Sequence, residues 1–193
     1  STINHFRHEY EAHIKEKKCP AAACDALMIS PCQHTCPVGI NIPKYVSEIA
    51  AGEYLQAIDT IRERNPFPAI CGRICHHPCE TRCRRGELDD PVSIRALKRF
   101  VADWYFDNLS QLPAPEPFPK TKNQRVAVVG AGPTGLSCAY FLAQAGYPVT
   151  VYEALPLAGG MLSVAIPDFR LPREVIQQEI GYIVQKGVEL KCS

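Results

Sequence analysis

The strongest chemical signal in the chain is its cysteines, eight of which lie within the first 83 residues. Cys71, Cys75, Cys79 and Cys83 recur at every fourth residue, and one unbroken helix would spread them over about 18 Å. Pro78 also argues against an unbroken helix there. We therefore expect these cysteines to share binding sites with the cysteines that precede them, which are Cys19, Cys24, Cys32 and Cys36.

A cysteine-dense segment indicates disulfides in a secreted chain and metal or redox chemistry in a cytosolic one. Eight cysteines divided between two four-cysteine sites predict two [4Fe-4S] clusters. Zinc is the rival, because Cys19 and Cys24, with His8 or His13 upstream, have the residue types of a closed structural zinc site. For the remaining six cysteines the residues favour iron–sulphur, because a flavin-type fold is expected to follow them.

Composition excludes several classes of function. The chain has 193 residues, of which 46% are hydrophobic, and its net charge is +1. That charge does not suggest nucleic acid or an anionic membrane as the main partner. No apolar stretch approaches the roughly 18 residues of a membrane span, and the opening segment STINHFRHEY lacks the apolar core of a signal peptide. We expect a cytoplasmic location.

A second signal is the sequence GAGPTG at 130–135, which follows a predicted strand and opens a predicted helix. Gly130 suits the tight turn, Gly132 lets a pyrophosphate approach the backbone, and Gly135 allows close helix packing. The helix that begins at Pro133 offers amide donors to the phosphates. Glu153, about 20 residues on, is placed to accept ribose hydroxyls and would repel a 2′-phosphate, so FAD or NAD is favoured over NADP.

The apolar pattern divides the chain into four segments. We predict a linking segment at 1–31, a helical cysteine-rich domain at 32–109, a proline-rich linker at 110–124 and a Rossmann-like start at 125–193. The expected fold is an all-α iron–sulphur domain followed by an incomplete α/β Rossmann-like FAD-binding domain. Within the helical domain, the helix after Pro91 is expected to bury Ile94, Leu97, Val101 and Trp104.

Three segments together resemble a known family: CQHTCPVGINIP at 32–43, NPFPAICGRICHHPCETRC at 65–83 and PVSI at 91–94. They are similar to the glutamate synthase small subunit family, which includes the corresponding parts of dihydropyrimidine dehydrogenase and of NADH-dependent ferredoxin:NADP oxidoreductase. The resemblance implies [4Fe-4S] clusters beside an FAD, with NAD(P)H bound in a second Rossmann domain outside this chain. It also implies that Gly160, Met161, Leu162 and Arg170 belong to a second FAD-contacting segment.

Carried over by position, the resemblance assigns Cys32 and Cys83 to one cluster and Cys36, Cys75 and Cys79 to the other. The chain departs from the family at two places. Cys19 and Cys24 stand where a more closely spaced cysteine pair is usual. Lys98 stands at the position of a Gln or Glu ligand and cannot bind iron, so either Cys71 replaces that ligand or the second cluster is altered or missing.

The segment from Glu9 to Cys24 also resembles the tail of diaphorase subunits of NADH dehydrogenases and NAD-linked hydrogenases. This second resemblance favours zinc at Cys19 and Cys24, and it implies partners of diaphorase, ferredoxin or hydrogenase type. The function expected is electron transfer between [4Fe-4S] clusters and FAD within an NAD(P)H-dependent oxidoreductase complex. The alternative is a zinc-stapled helical docking domain with no redox role.

Overall fold

The computed structural model describes residues 29–193 and, before them, Arg7. Its first half is helical, as the sequence predicts. The helices are α1 (Pro31–Thr35), α2 (Ile42–Ala50), α3 (Tyr54–Arg62), α4 (Pro68–Ile74), α5 (Pro78–Thr81) and α6 (Ile94–Asp107), and a 3₁₀ turn spans Arg84–Glu87. Proline in the first turn and a capping side chain begin α1 and α2: Ser30 accepts the N–H of Gln33, and Asn41 accepts the N–H of Lys44.

The expected break in the cysteine helix is present. Helix α4 ends at Ile74, and α5 begins at Pro78 after three residues outside any helix. Helix α1 packs against α5, and α4 packs against α6. The early cysteines Cys32 and Cys36 are thereby brought to the later group, as the spacing argument requires.

The predicted buried stripe of α6 is partly wrong. Its fully buried residues are Ile94, Lys98, Val101, Ala102 and Tyr105, whereas Leu97 and Trp104 are half-buried. The helix is rotated so that the Lys98 side chain points inward, next to the cysteines. An apolar-spacing rule excludes lysine from a buried face and therefore cannot find this orientation.

The second half forms a parallel three-stranded sheet with strand order β1-β2-β3. Its elements are β1 (Val126–Val129), α7 (Pro133–Gln144), β2 (Val149–Glu153), α8 (Met161–Val164), α9 (Arg173–Gln185) and β3 (Glu189–Cys192). Helix α7 packs on β1 and β2 and contacts α9. This arrangement confirms the incomplete Rossmann-like fold.

The proline-rich segment lies against the second half. From Pro113 to Arg125 it contains no helix or strand, and the Phe118 N–H donates to the Lys186 carbonyl at 3.0 Å. The Phe118 ring also meets the Tyr140 ring edge-on at 5.3 Å. Buried residues of the two halves form one continuous hydrophobic cluster, so the described parts of the chain pack as one body.

Candidate metal centre and nucleotide site

Helix α4 carries Cys71 and is followed by its C-cap residue Cys75, whose N–H donates to the Cys71 carbonyl at 3.1 Å. Gly72 lets this helix approach α6 closely, because a Cβ at Gly72 would lie 2.8 Å from the Cα of Arg99. The backbones of α4 and α6 are therefore in close contact beside Cys71.

Cys36, Cys71, Cys75 and Cys79 are called the inner cysteine set here. Cys79 is 7% exposed, and burial raises the pKa of its thiol to about 11, with Cys36 and Cys75 close enough to add to that rise. Burial likewise raises the pKa of Cys71. All four positions thus converge on one buried region.

Lys98 is the positive charge of this region. It is 7% exposed, and its ammonium opposes the rise in pKa of both Cys71 and Cys79. The buried ammonium is thus close enough to act on thiols of two different helices. The residue that departs from the family pattern influences Cys71, the cysteine expected to compensate for it.

Two polar side chains border the inner set. Tyr45 is fully buried and donates its hydroxyl to the Ile94 carbonyl at 3.1 Å; burial, followed by the nearby Cys79, Cys36 and Cys32, raises its pKa. Asn65 accepts the Phe67 N–H at 3.0 Å and the Cys71 thiol at 3.7 Å through Oδ1. The Asn65 Nδ2 is buried and has no partner among the described residues.

The backbone between Cys75 and Cys79 is held in an unusual shape. His77 has φ 49° and is the non-glycine residue with positive φ in the described chain. In this conformation its N–H reaches the Cys75 sulphur at 3.3 Å. Arg95 fixes the same turn by donating to the Cys75 carbonyl at 3.0 Å. Hydrogen bonds to ligand sulphurs are among the factors that set the reduction potential of an iron–sulphur cluster.

Cys32 and Cys83 form the outer pair. The Cys32 sulphur lies 3.3 Å from the Ser30 hydroxyl, and Cys83 lines an open cavity of about 420 Å³ whose wall also includes Pro31. The predictions for His8, His13, Cys19 and Cys24 lie outside the described residues. Within residues 29–193, no three His, Cys, Asp or Glu side chains converge on the position of a single metal ion.

The glycine-rich turn has the geometry that the motif predicts. Gly130 has φ 96°, and a Cβ at Gly135 would overlap the Gly130 carbonyl oxygen. Gly132 is the N-cap residue of α7, which begins at Pro133, and no side chain caps that helix. The first-turn N–H groups are thus free of side-chain competition for an anionic group.

Glu153 lies at this turn. Its carboxylate accepts the Ala131 N–H at 2.7 Å and the Leu155 N–H at 3.0 Å, and these backbone donors hold its pKa below the usual range. An ionised carboxylate therefore stands beside the predicted phosphate turn, where a ribose hydroxyl would be accepted and a further phosphate repelled.

The second predicted segment meets the first. A Cβ at Gly160 would lie 2.9 Å from the Gly132 Cα, and Gly159 donates its N–H to Ala131 at 2.8 Å. In the adjoining helix, Met161 is exposed and Leu162 is buried. Arg170 is exposed, with its N–H donating to the Pro167 carbonyl. The glycine-rich turn, Glu153 and the Gly159–Gly160 segment thus come together at the carboxyl ends of β1 and β2. Arg170 lies on the loop that follows α8.

Comparison with known proteins decides the family. Residues 2–109, more than half of the chain, match the family model described as dihydropyrimidine dehydrogenase domain II, 4Fe-4S cluster. The chain belongs to this family. The predicted resemblance is confirmed, and residues 128–176 match the NAD(P)-binding Rossmann-like domain.

The chain is similar to several oxidoreductase subunits that share this dihydropyrimidine dehydrogenase domain II. The chain is 43% identical to the NADPH-Fe(3+) oxidoreductase subunit beta of Geobacter sulfurreducens, covering 97% of this chain and 28% of the relative. It is 43% identical to the NADP(+)-dependent formate dehydrogenase subunit beta of Moorella thermoacetica, covering 85% and 26%. It is 37% identical to the NAD-dependent dihydropyrimidine dehydrogenase subunit PreT of Escherichia coli, covering 90% and 42%. The chain thus spans about a quarter to two fifths of these relatives.

Sequence reasoning missed several residues around this domain II site. Tyr45, His77 and Glu179 each contact the cysteine helices or their neighbours. Glu179 lies on α9, more than 100 residues from the helix it binds, and nothing in its local pattern distinguishes it. Asn65 and His77 carried a signal, since both lie in the segment at 65–83 that resembles the family. In the part of the chain that the structure describes, no helix is long and apolar enough to cross a membrane.

Proposed function

We propose that the chain is the electron-transfer segment of an NAD(P)H-dependent iron–sulphur flavoprotein oxidoreductase, in which electrons pass between [4Fe-4S] clusters and FAD. The observation that carries the proposal is the convergence of four cysteines from α4, α5 and the end of α1 on one buried region that also contains Lys98. A centre held by four thiolates carries net negative charge, which the Lys98 ammonium offsets. The match of residues 2–109 to a 4Fe-4S family model supports an iron–sulphur cluster rather than zinc at this centre.

The inner cysteine set fits a cluster with four thiolate ligands. The family resemblance assigns Cys36, Cys75 and Cys79 as ligands by position, and the electrostatic influence of Lys98 on Cys71 supports Cys71 as the substitute for the missing carboxylate or amide. The unpartnered Nδ2 of Asn65 is a further sign, because a buried donor beside Cys71 suits a group that accepts hydrogen bonds. A bound [4Fe-4S] cluster would supply one-electron chemistry at this position.

The outer pair, Cys32 and Cys83, belongs in the proposal to a second cluster. Cys19 and Cys24 would complete it, or would hold zinc in a separate site. The cavity beside Cys83 is also lined by Pro31, which follows Cys24 by seven residues in the chain, and this supports the first assignment. The two assignments predict different iron and zinc contents per chain.

FAD is the proposed nucleotide. The turn at Gly130, Gly132 and Gly135 supports binding of a pyrophosphate, and the ionised Glu153 disfavours the 2′-phosphate of NADP. Contacts of Gly159 and Gly160 with that turn support a second FAD-contacting segment from Gly160 to Leu162, and Arg170 follows it in the chain order that the family resemblance implies. NAD(P)H is proposed to bind outside residues 1–193, in a complex whose partners are of diaphorase, ferredoxin or hydrogenase type, and the proposed location is the cytoplasm.

The test is to purify the intact protein without oxygen and measure iron, acid-labile sulphide, zinc and flavin per chain. About eight irons and no zinc would support two clusters, and about four irons with one zinc would support one cluster and a zinc staple. Zinc without iron would contradict the proposal and favour the docking domain. Flavin bound in less than a tenth of the chains would contradict the FAD assignment alone.

A further inference from the structure

Helix α9 contacts both candidate sites. Near its beginning, Arg173 donates Nη1 to the Leu162 carbonyl at 3.0 Å and so holds the segment that follows Gly160. Six residues later, Glu179 reaches the cysteine helix α4. The two residues are about 9 Å apart along the helix axis at 1.5 Å per residue. One rigid element therefore connects the nucleotide segment with the inner cysteine set.

The contact at Glu179 is specific. Its Oε1 accepts the Ala69 N–H at 3.1 Å, and its Oε2 accepts the Ile70 N–H at 3.2 Å. These donors belong to the first turn of α4, which has no intrahelical partners for them. Phe67, the residue before that helix, offers no capping side chain. The cap that the cysteine helix lacks in its own sequence is thus supplied by the second half of the chain.

The carboxylate of Glu179 is buried, which is energetically unfavourable for a charged group. It is 1% exposed, and burial raises its pKa to about 7, against the opposing effects of the two backbone donors and of Arg62 and Arg73. Arg62 is itself held between the rings of Tyr105 and Tyr182, at 4.2 Å and 3.5 Å from their centroids. Burying a carboxylate for packing alone is unfavourable, because an apolar residue would fill the same space.

We propose that Glu179 is a positioning residue for the inner cluster, through which α9 fixes the cysteine helix relative to the nucleotide segment. Ile70 directly precedes Cys71, and the Cys71 carbonyl accepts the N–H of Cys75. A shift of the first turn of α4 therefore moves two proposed ligands together. This inference rests on the proposed function, since it needs a cluster at the inner set.

The experiment compares Glu179→Leu and Glu179→Gln with Glu174→Gln in the intact, anaerobically purified protein. Leucine removes both acceptors, glutamine keeps one at similar size, and Glu174 is an exposed acid on the same helix. The measurements are the EPR spectrum and midpoint potential of each cluster, and the rate at which each loses iron to a chelator. Melting temperature reports the general stability of each variant.

We expect Glu179→Leu to speed iron loss from the inner cluster by about tenfold or more, and Glu179→Gln to lie between it and the wild type. The inner EPR signal should change shape while the outer signal stays as in the wild type. Glu174→Gln should match the wild type in every measurement. Should Glu179→Leu fail to fold, the milder Glu179→Gln decides.

Two results would overturn the inference. Equal effects of Glu179→Gln on both clusters would mean that the carboxylate serves general stability. Unchanged spectra, potentials and iron loss in a protein that contains both clusters would mean that Glu179 does not position the inner set. A wild-type protein without iron at the inner set would instead overturn the proposed function itself.

Discussion

The glycine-rich turn and the inner cysteine set differ in how far apart their parts lie along the chain. The turn takes its shape from six consecutive residues, Gly130 to Gly135, and from Glu153 shortly after them. The inner set is assembled from α1, α4 and α5, with Lys98 from α6 and Glu179 from α9 around it. A local motif fixes the first site, whereas long-range packing fixes the second. Substitutions should therefore act locally at the turn and over a distance at the cysteines.

The largest effect should come from Cys71→Ala. If Cys71 is the fourth ligand of the inner cluster, this variant should lose about four irons per chain while the outer cluster remains. Iron analysis and EPR of anaerobically purified protein would measure the loss. The double variant Cys71→Ala/Lys98→Glu places a carboxylate where the family has one, and it should regain inner-cluster iron.

The matched control for this prediction is Cys138→Ala, because Cys138 is an exposed cysteine on α7. It should retain full iron content. Full iron content in Cys71→Ala as well would exclude Cys71 as a required ligand, and the contrast between the two regions would then lose its main support.

The next effect should be at the turn. Gly135→Ala would place a methyl group onto the Gly130 carbonyl oxygen, and overpacking of this kind costs roughly 1–3 kcal/mol. We expect flavin affinity to fall by about tenfold or more, with the iron content unchanged. Fluorescence titration of FAD would measure the affinity, and an equal loss of iron would show that the two regions are not separable.

A smaller effect should follow from Gly72→Ala, which acts between the cysteine helix and α6. Its Cβ would lie 2.8 Å from the Arg99 backbone, so the free energy of unfolding should fall by about 1–3 kcal/mol. Gly181→Ala is the control, since no atom lies within 4 Å of a Cβ there. A helical glycine in open space should instead gain roughly 0.5–1 kcal/mol. Urea unfolding would measure the free energy of unfolding of both variants. If both variants were stabilised, or both destabilised, the prediction would be contradicted.

The smallest effect concerns pH. Burial raises the pKa of Glu179 from 4.5 to about 7, so the folded protein binds more protons than the unfolded chain between these values. Stability should therefore be highest below pH 4.5 for this group and fall as pH rises towards 7. Arg62 and Arg73 face the carboxylate, with Cys71 nearby, and moderate the fall.

Urea unfolding at several pH values between 5 and 8 would test this, with Glu179→Gln as the comparison. The variant lacks the titrating group, so the difference in stability between wild type and variant should shift against the wild type with rising pH. A difference that does not change with pH would show that Glu179 is already ionised throughout this range.

Much of the fold could be predicted from the sequence, because its signals are local. Each of these signals acts over a few residues: the proline at 78, the glycine turn and the apolar spacing of the helices. The helices and strands that they predict are present in the structure. The inward orientation of Lys98 could not be predicted from apolar spacing, which assigns lysine to the surface. Glu179 could not be identified either, because its partners are backbone N–H groups more than 100 residues away.

The left-handed backbone at His77 limits which amino acids this position can accept. With φ at 49°, a β-branched residue would be strained, and proline is excluded by its fixed φ. Glycine and asparagine adopt this conformation most readily. A library randomised at this codon and selected for cluster retention should therefore be enriched in glycine and asparagine. In design terms, glycine or asparagine at position 77 would keep the backbone conformation while removing an imidazole whose Nδ1 lies 3.3 Å from the Cys75 carbonyl oxygen.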